Sequence, residues 1–340
     1  MWLANLFKKK RGLVGPINMG FWSGLEKPFF VMAPMADVTD CAFRKLIAKY
    51  GKPDVLWTEF VSADGLASRG REALMIDLRF DKSEHPIVAQ LFGSNEGSME
   101  EAAKLCAELG FDGIDLNMGC PDRSIEKSKS GAYCIRDPKL AKKILEAARR
   151  GAPNLPISVK TRIGYNSVEW DWIKEVLSWG LPVATFHLRT RKEMSLVPAH
   201  WDLMPKIIEL RNKISPETIV LGNGDAAGIG DARTKCRETG CDGVMLGRAI
   251  FGTPWLFNEK KKEISIEEKL AIMLEHTKLF LEMLGEHKNF AIMKKHYKAY
   301  VNGFPGAKEL RVELMEAKTY EEIEKLTLGF LTSFGRGEVS

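Results

Sequence analysis

One cysteine of this 340-residue chain is set apart by its neighbours. In the stretch Gly113 to Lys127, GIDLNMGCPDRSIEK, apolar Ile114, Leu116 and Met118 alternate with polar Asp115 and Asn117, and the run stops abruptly at Gly119, Cys120 and Pro121. A cysteine that only fills a core needs neither neighbour. A thiol that must stand at one point of an open site is served by both, because glycine permits the turn and proline stiffens the exit. Lys160 in ISVKTR, Gln90 in IVAQLFG and His187 in VATFHLR lie at or near the ends of similar apolar runs. A lysine in that position suits either Schiff-base chemistry or stabilisation of an electron-rich cofactor ring. A glutamine amide suits hydrogen bonds to a planar heterocycle better than proton transfer. His187 reads either as a core histidine or as a site residue, and the Arg189, Thr190 and Arg191 that follow favour the site.

These residues need elements to carry them. Short β-rich apolar runs alternate with amphipathic helical stretches from about residue 28 to about residue 255. The runs cover 28–34, 55–60, 87–93, 113–119, 157–162, 183–189, 218–224 and 243–249. Continuous apolar strands alternating with helices imply a parallel sheet buried on both faces. Eight such units predict an α/β fold of the (β/α)8 TIM-barrel type. A doubly wound open sheet is the alternative, but no G-x-G-x-x-G follows the first run. Each run closes on a chemically active group: Met35, Ala36 and Asp37; Glu59; Gln90; Asn117 with Cys120; Lys160 with Arg162; His187 with Arg189; Asn223 with Asp225; and Gly247 with Arg248. Strands that simply end in polar loops explain one or two such cases. Convergence on the carboxyl-terminal mouth of a barrel explains all of them.

GNGDAAGIGDA (222–232) and GVMLGRAIFGTPWLF (243–257) end the seventh and eighth runs. Those two loops of a barrel commonly cradle a phosphate with backbone N–H groups and a short helix. Gly222, Gly224 and Gly247 let the backbone approach an anion, and Arg248 adds charge.

The rest of the composition sets bounds. The apolar fraction is 45% and the net charge +5, which permits a polyanionic partner without requiring one. No apolar run approaches the roughly 20 residues of a membrane span. The leading MWLANLFKKKRGL places its charges after its apolar residues, the wrong order for a secretory signal, so residues 1–24 read as a basic extension and the expected location is the cytoplasm. The six cysteines form no C-x-x-C pair, and disulfides are not expected. Residues 25–260 read as the barrel and 261–340 as a small all-α domain after a charged linker, with Leu270, Met273, Leu274, Leu281 and Leu284 on one helical face and a break at Gly303–Gly306.

APMADVTD (33–40), QLFGS (90–94), DLNMGCP (115–121), VKTRIG (159–164), HLRTR (187–191), GNGD (222–225), DGVMLGRAIFGTPWLF (242–257) and KHYKAYVNGFPGAKELR (295–311) run in this order. In this combination the chain resembles the tRNA-dihydrouridine synthases, FMN enzymes that reduce selected uridines of tRNA. The resemblance implies FMN held by Pro34, Met35, Ala36, Gln90, Lys160, His187, Asn223, Gly224, Asp225, Gly247 and Arg248, with NADPH or NADH as reductant. It implies that Lys160 lies beside the flavin ring, Asn117 holds the uracil and Cys120 donates the proton. Arg162, Arg189 and Arg191 at the rim, and Lys295 and Lys298 on the tail with Lys288, Lys294 and Tyr297 beside them, would meet tRNA. A monomer and no membrane association are expected. Leu188 and Val197 stand where the family usually has glycines, so a difference in packing or substrate contacts after the sixth strand is expected there.

Two other readings remain at this point. An FMN barrel acting on a free pyrimidine, like dihydroorotate dehydrogenase, is opposed by the helical tail and the rim arginines. An RNA-binding barrel with a vestigial flavin site is opposed by intact Cys120, Lys160 and Arg248.

Overall fold

The computed structural model describes residues 17–261 and 264–336. The cationic cluster of the leading segment, within residues 1–16, lies outside the described residues.

Period-two alternation builds the barrel. The strands are β1 (Phe29–Met32), β2 (Leu56–Ser62), β3 (Ile87–Phe92), β4 (Gly113–Met118), β5 (Ile157–Arg162), β6 (Val183–His187), β7 (Ile219–Asn223) and β8 (Gly243–Leu246). All eight sequence runs are strands, joined in parallel in the order β1-β8-β7-β6-β5-β4-β3-β2. Closure between β1 and β2 is brief. Val31 bridges Val55, and the amide of Asp54 donates to the carbonyl of Phe30 at 3.0 Å.

Helices follow the strands. α1 (Cys41–Tyr50) follows β1; the single turns α2 (Ala63–Leu66) and α3 (Arg71–Leu74) follow β2; α4 (Glu96–Glu108) follows β3. α5 (Arg123–Lys127) and α6 (Pro138–Gly151) follow β4, then α7 (Trp170–Leu177), α8 (Met204–Ile214) and α9 (Ile229–Thr239) follow β5, β6 and β7. Asp40, Asn95 and Asp137 start α1, α4 and α6 by accepting first-turn amides. Outward residues such as Phe30, Ile87, Leu116, Val159 and Phe186 pack in the large core beneath these helices.

Inward residues divide the interior into two layers. Toward the amino-terminal end Phe29, Val31, Val55, Trp57, Val88, Val183, Ile219 and Leu221 form a second apolar cluster. A 3-10 turn, Gly20–Gly24, seals that end by burying Trp22 against Phe29 and Trp57 at 6.1 and 5.8 Å between ring centroids. Toward the other end the inward positions are polar: Gln90, Asp115, Asn117, Ser158, Lys160 and Thr185. The polarity change within single strands places the site at one end of the barrel.

The carboxyl-terminal region is helical, as its sequence predicts: α10 (Ile266–Leu284), α11 (Met293–Tyr300), α12 (Ala307–Glu316) and α13 (Tyr320–Gly335). Leu270, Met273 and Leu284 are buried, while Leu274 and Leu281 are half-buried. Gly306, at φ +72°, starts α12 after the expected break. This region docks on α1, where Phe43 stacks on His276 at 4.7 Å and meets His296 at 4.7 Å.

Candidate active site

The polar mouth of the barrel holds a cavity of about 270 Å³. Pro34, Met35, Gln90, Lys160, His187, Asn223, Gly224, Asp225, Gly247 and Arg248 line it, and so do Asn117, Cys120, Arg162 and Arg189.

A hydrogen-bonded chain of side chains crosses its floor. Ser158 donates to Asp115 at 2.6 Å, and the Gln90 amide donates to the other Asp115 oxygen at 2.6 Å. Asn117 donates to the Gln90 carbonyl oxygen at 3.0 Å. The Asn117 oxygen then accepts the backbone amides of Gly119 and Cys120 at 3.1 and 2.9 Å. The chain fixes the amide flips of Gln90 and Asn117 and delivers Cys120 at a defined point. Burial holds the Asp115 carboxyl up at about 6. Burial also raises the Cys120 thiol, so the sulfur is protonated at neutral pH.

Lys160 faces Asn117 across the β4–β5 register. Burial, helped by Arg162, lowers its ammonium to about 8, and Asp115 pulls the other way. His187 is neutral: burial first, then Arg162, Lys160, Arg189 and Arg248, hold it well below its ordinary value. Its Nε2 accepts from Arg189 at 3.2 Å. The cavity therefore carries more cationic than anionic groups, the charge balance that suits an anionic ligand.

The rim arginines are engaged inside the protein, which sequence alone does not reveal. Arg162 donates to the carbonyls of Gly119, Thr190 and Met194 at 2.8, 3.0 and 2.9 Å. Arg189 donates to the Val197 carbonyl at 2.6 Å and pairs with Asp225. Arg191 pairs with Glu126, lies over the Tyr165 ring at 5.5 Å, and is not in the cavity lining. These three guanidiniums strap the loop after β6 to the loops after β4 and β7.

The glycines of the last two strands differ in role. A Cβ on Gly222 would meet the Trp201 indole at 2.5 Å, so that glycine serves packing and not ligand approach. Gly224 has φ +127°, and a Cβ there would meet Ala199 at 2.8 Å. Gly247 opens onto the cavity, its nearest neighbours being Ala33 and the Met35 sulfur at 3.6 Å. Asp225 accepts from Arg189 and from the exposed Arg248, holding the latter at the cavity edge.

Several expectations change. Ala36 is exposed and outside the cavity lining, where Ala33 stands instead. Tyr297 is fully buried and cannot flank a basic face. Lys288 lies beyond α10, paired with Glu59 and Asp77 at 2.7 Å each. Lys294 donates to the carbonyl of Met315. Lys295 and Lys298 remain exposed and outside the cavity lining, Lys295 lying 3.4 Å from the Asp37 carboxylate. Leu188 points outward and is fully buried, so the absence of a glycine there alters the outer core and not the mouth. Phe60, Ser195 and Met245 also line the cavity. Only position relative to β2 and β8 hints at Phe60 and Met245, and Ser195 carries no signal.

In parallel eight-stranded barrels that are enzymes, the active site lies at the carboxyl-terminal mouth, where this cavity is. The dihydrouridine synthase (Dus) family model matches residues 31–333, and the chain belongs to that family of oxidoreductases. It is 39% identical over 310 residues to a probable tRNA-dihydrouridine synthase of Staphylococcus aureus (strain Mu50), covering 90% of this chain and 94% of that protein. It is 38% identical over 310 residues to probable tRNA-dihydrouridine synthase 2 of Bacillus subtilis (strain 168), covering 90% and 95%. The barrel is similar to a variant of NCR from Zymomonas mobilis, with TM-score 0.50, 16% identity and coverage of 76% of this chain and 94% of that one. It is also similar to the 6-hydroxypseudooxynicotine amine oxidase of Pseudomonas geniculata N1, with TM-score 0.52, 13% identity and coverage of 74% and 50%. No helix among the described residues is long and apolar enough to cross a membrane.

Proposed function

We propose that this chain is a tRNA-dihydrouridine synthase: it saturates the 5,6 double bond of uridine in tRNA, using FMN with NADPH or NADH as reductant, and works as a cytoplasmic monomer. The observation that carries this reading is the continuous chain Asp115–Gln90–Asn117–Cys120, which joins groups suited to a planar ring to a protonated thiol in one mouth.

The donor set fits FMN. Gln90 and Lys160 present amide and ammonium groups to a planar ring, and the backbone at Gly224 and Gly247 with Arg248 suits a phosphate. FMN, when bound, supplies hydride chemistry that no side chain provides. Lys160 places positive charge beside the ring, and Asn117 orients the uracil. Cys120 delivers a proton to C5 as general acid, a role that suits a thiol whose acidity is suppressed by burial. Residues 261–340 bind tRNA through Lys295 and Lys298, while the strapped loop after β6 shapes the entrance.

The test is direct. The purified protein is given FMN, NADPH and transcribed tRNA, and dihydrouridine is measured by mass spectrometry, with free uracil and orotate in parallel. Turnover of tRNA alone is the expected result. Turnover of the free pyrimidine with none on tRNA would overturn the assignment.

A further inference from the structure

Four residues far apart in sequence meet at the edge of the mouth. The pairing of β2 with β3 shifts register between Trp57 and Phe60. Such a bulge re-aims side chains. Here Phe60 enters the cavity lining, while the neighbouring Glu59 is buried toward the loop after β1. One Glu59 oxygen accepts the amide of Asp37 at 2.5 Å. The other accepts from Lys288 at 2.7 Å, and Lys288 also pairs with Asp77 at 2.7 Å. The side chains of Lys288 and Glu59 are only 12% and 6% exposed, so solvent screens the pair little.

The loop that Glu59 holds is strained and faces the site. Asp37 has φ +53°, a region a non-glycine residue occupies only when its surroundings require it. Two residues earlier, Met35 lines the cavity; its amide donates to Thr39 Oγ1 at 2.9 Å, and its carbonyl accepts the Thr39 amide at 3.0 Å. Thr39 thus holds the turn from within, and Glu59 holds it from outside. Lys288 belongs to the helical region, beyond α10.

The geometry points to Lys288 as a positioning residue: through Glu59 it makes docking of the helical region a condition for the Met35–Asp37 turn to sit correctly over the cofactor cavity. The helical region is then part of the flavin site as well as a holder of RNA. Removing Lys288 leaves the buried Glu59 carboxylate and the half-buried Asp77 carboxylate uncompensated, and Glu59 must leave Asp37 to find water or a proton. The inference rests on the FMN reading above only for its cofactor readout.

The experiment compares wild type, Lys288→Met, Lys288→Arg and, as a docking control, Lys49→Ala. Lys49 pairs with Glu275 between α1 and α10, away from the cavity lining. Three quantities are measured: FMN dissociation constant, visible absorption and circular dichroism of the fully loaded flavin, and amide exchange at Met35–Asp37. In Lys288→Met the dissociation constant should rise about tenfold, the flavin spectrum should shift, and the Asp37 amide should exchange at least about tenfold faster. Lys288→Arg should restore all three, and Lys49→Ala should leave them at wild-type values. If Lys288→Met does not fold, Lys288→Gln, which removes the charge but keeps a polar end for the two carboxylates, carries the same expectations. Unchanged exchange and spectrum in a protein that merely melts earlier would reduce the pair to an interdomain fastening and overturn the inference. Absence of FMN binding in wild type would refute the cofactor reading instead, and the exchange readout would still decide the role of Lys288.

Discussion

The Asn117 side-chain oxygen accepts the backbone amide of Cys120 at 2.9 Å, so the residue read as the uracil holder also fixes the residue read as the proton donor. Movement of one moves the other. A thiol on a free loop would have to find the base. This one is presented with it.

Cys120→Ala should therefore bind FMN and accept electrons from NADPH as wild type does, since neither event uses the sulfur. Single-turnover dihydrouridine formation should fall by about 10²–10⁴, the usual range for a lost general acid. Wild-type single-turnover rates would show that Cys120 is only a small apolar residue at a strand end. Cys120→Ser should also be slow, because a hydroxyl is far less acidic than even a raised thiol.

The pH profile should report Lys160. Burial lowers its ammonium from 10.5 to about 8, so the group is charged at neutral pH and loses its proton as pH rises. An anionic ring beside it moves the loss upward, never below 8. Flavin reduction by NADPH should decline above that point in wild type and be slow and flat across the same window in Lys160→Met. The same inflection in both proteins would assign the titration elsewhere.

Arg248→Ala should weaken FMN retention about tenfold, the equivalent of roughly 1.5 kcal/mol for one exposed charge-assisted contact. Equilibrium dialysis of the loaded protein measures it. Full occupancy after extensive dialysis would remove Arg248 from the phosphate site.

Lys295→Glu/Lys298→Glu should weaken tRNA binding and flatten the dependence of its dissociation constant on salt, because fewer counterions are released. A dissociation constant identical to wild type across a salt series would take this face out of the RNA contact.

What could be read from sequence follows from periodicity. Alternation within each run settles which side of a strand faces the barrel axis, so Gln90, Asn117, Lys160 and His187 were legible as site candidates once the barrel was inferred. The arginines were not. Arg162, Arg189 and Arg191 are cationic and near the mouth, as expected, but their partners are carbonyls and carboxylates that only folding brings near. Lys288 looked like part of a basic face because Glu59, 229 positions away, leaves no mark beside it. Tyr297 shares a helix with exposed lysines, yet faces the packed side of α11. Side-chain direction within a strand is local information, and ion-pair partners are not.

Trp22 and the apolar layer above it make the barrel a vessel with a sealed base. Whatever reaches Cys120 and Lys160 enters and leaves by one opening. With FMN in the cavity as proposed, the nicotinamide and the uridine would both reach it through that opening and would take turns there, since the base is closed by Trp22 and its apolar layer. Initial rates measured while NADPH and tRNA are varied together should give parallel double-reciprocal lines, the mark of an enzyme that releases its first product before it admits its second substrate.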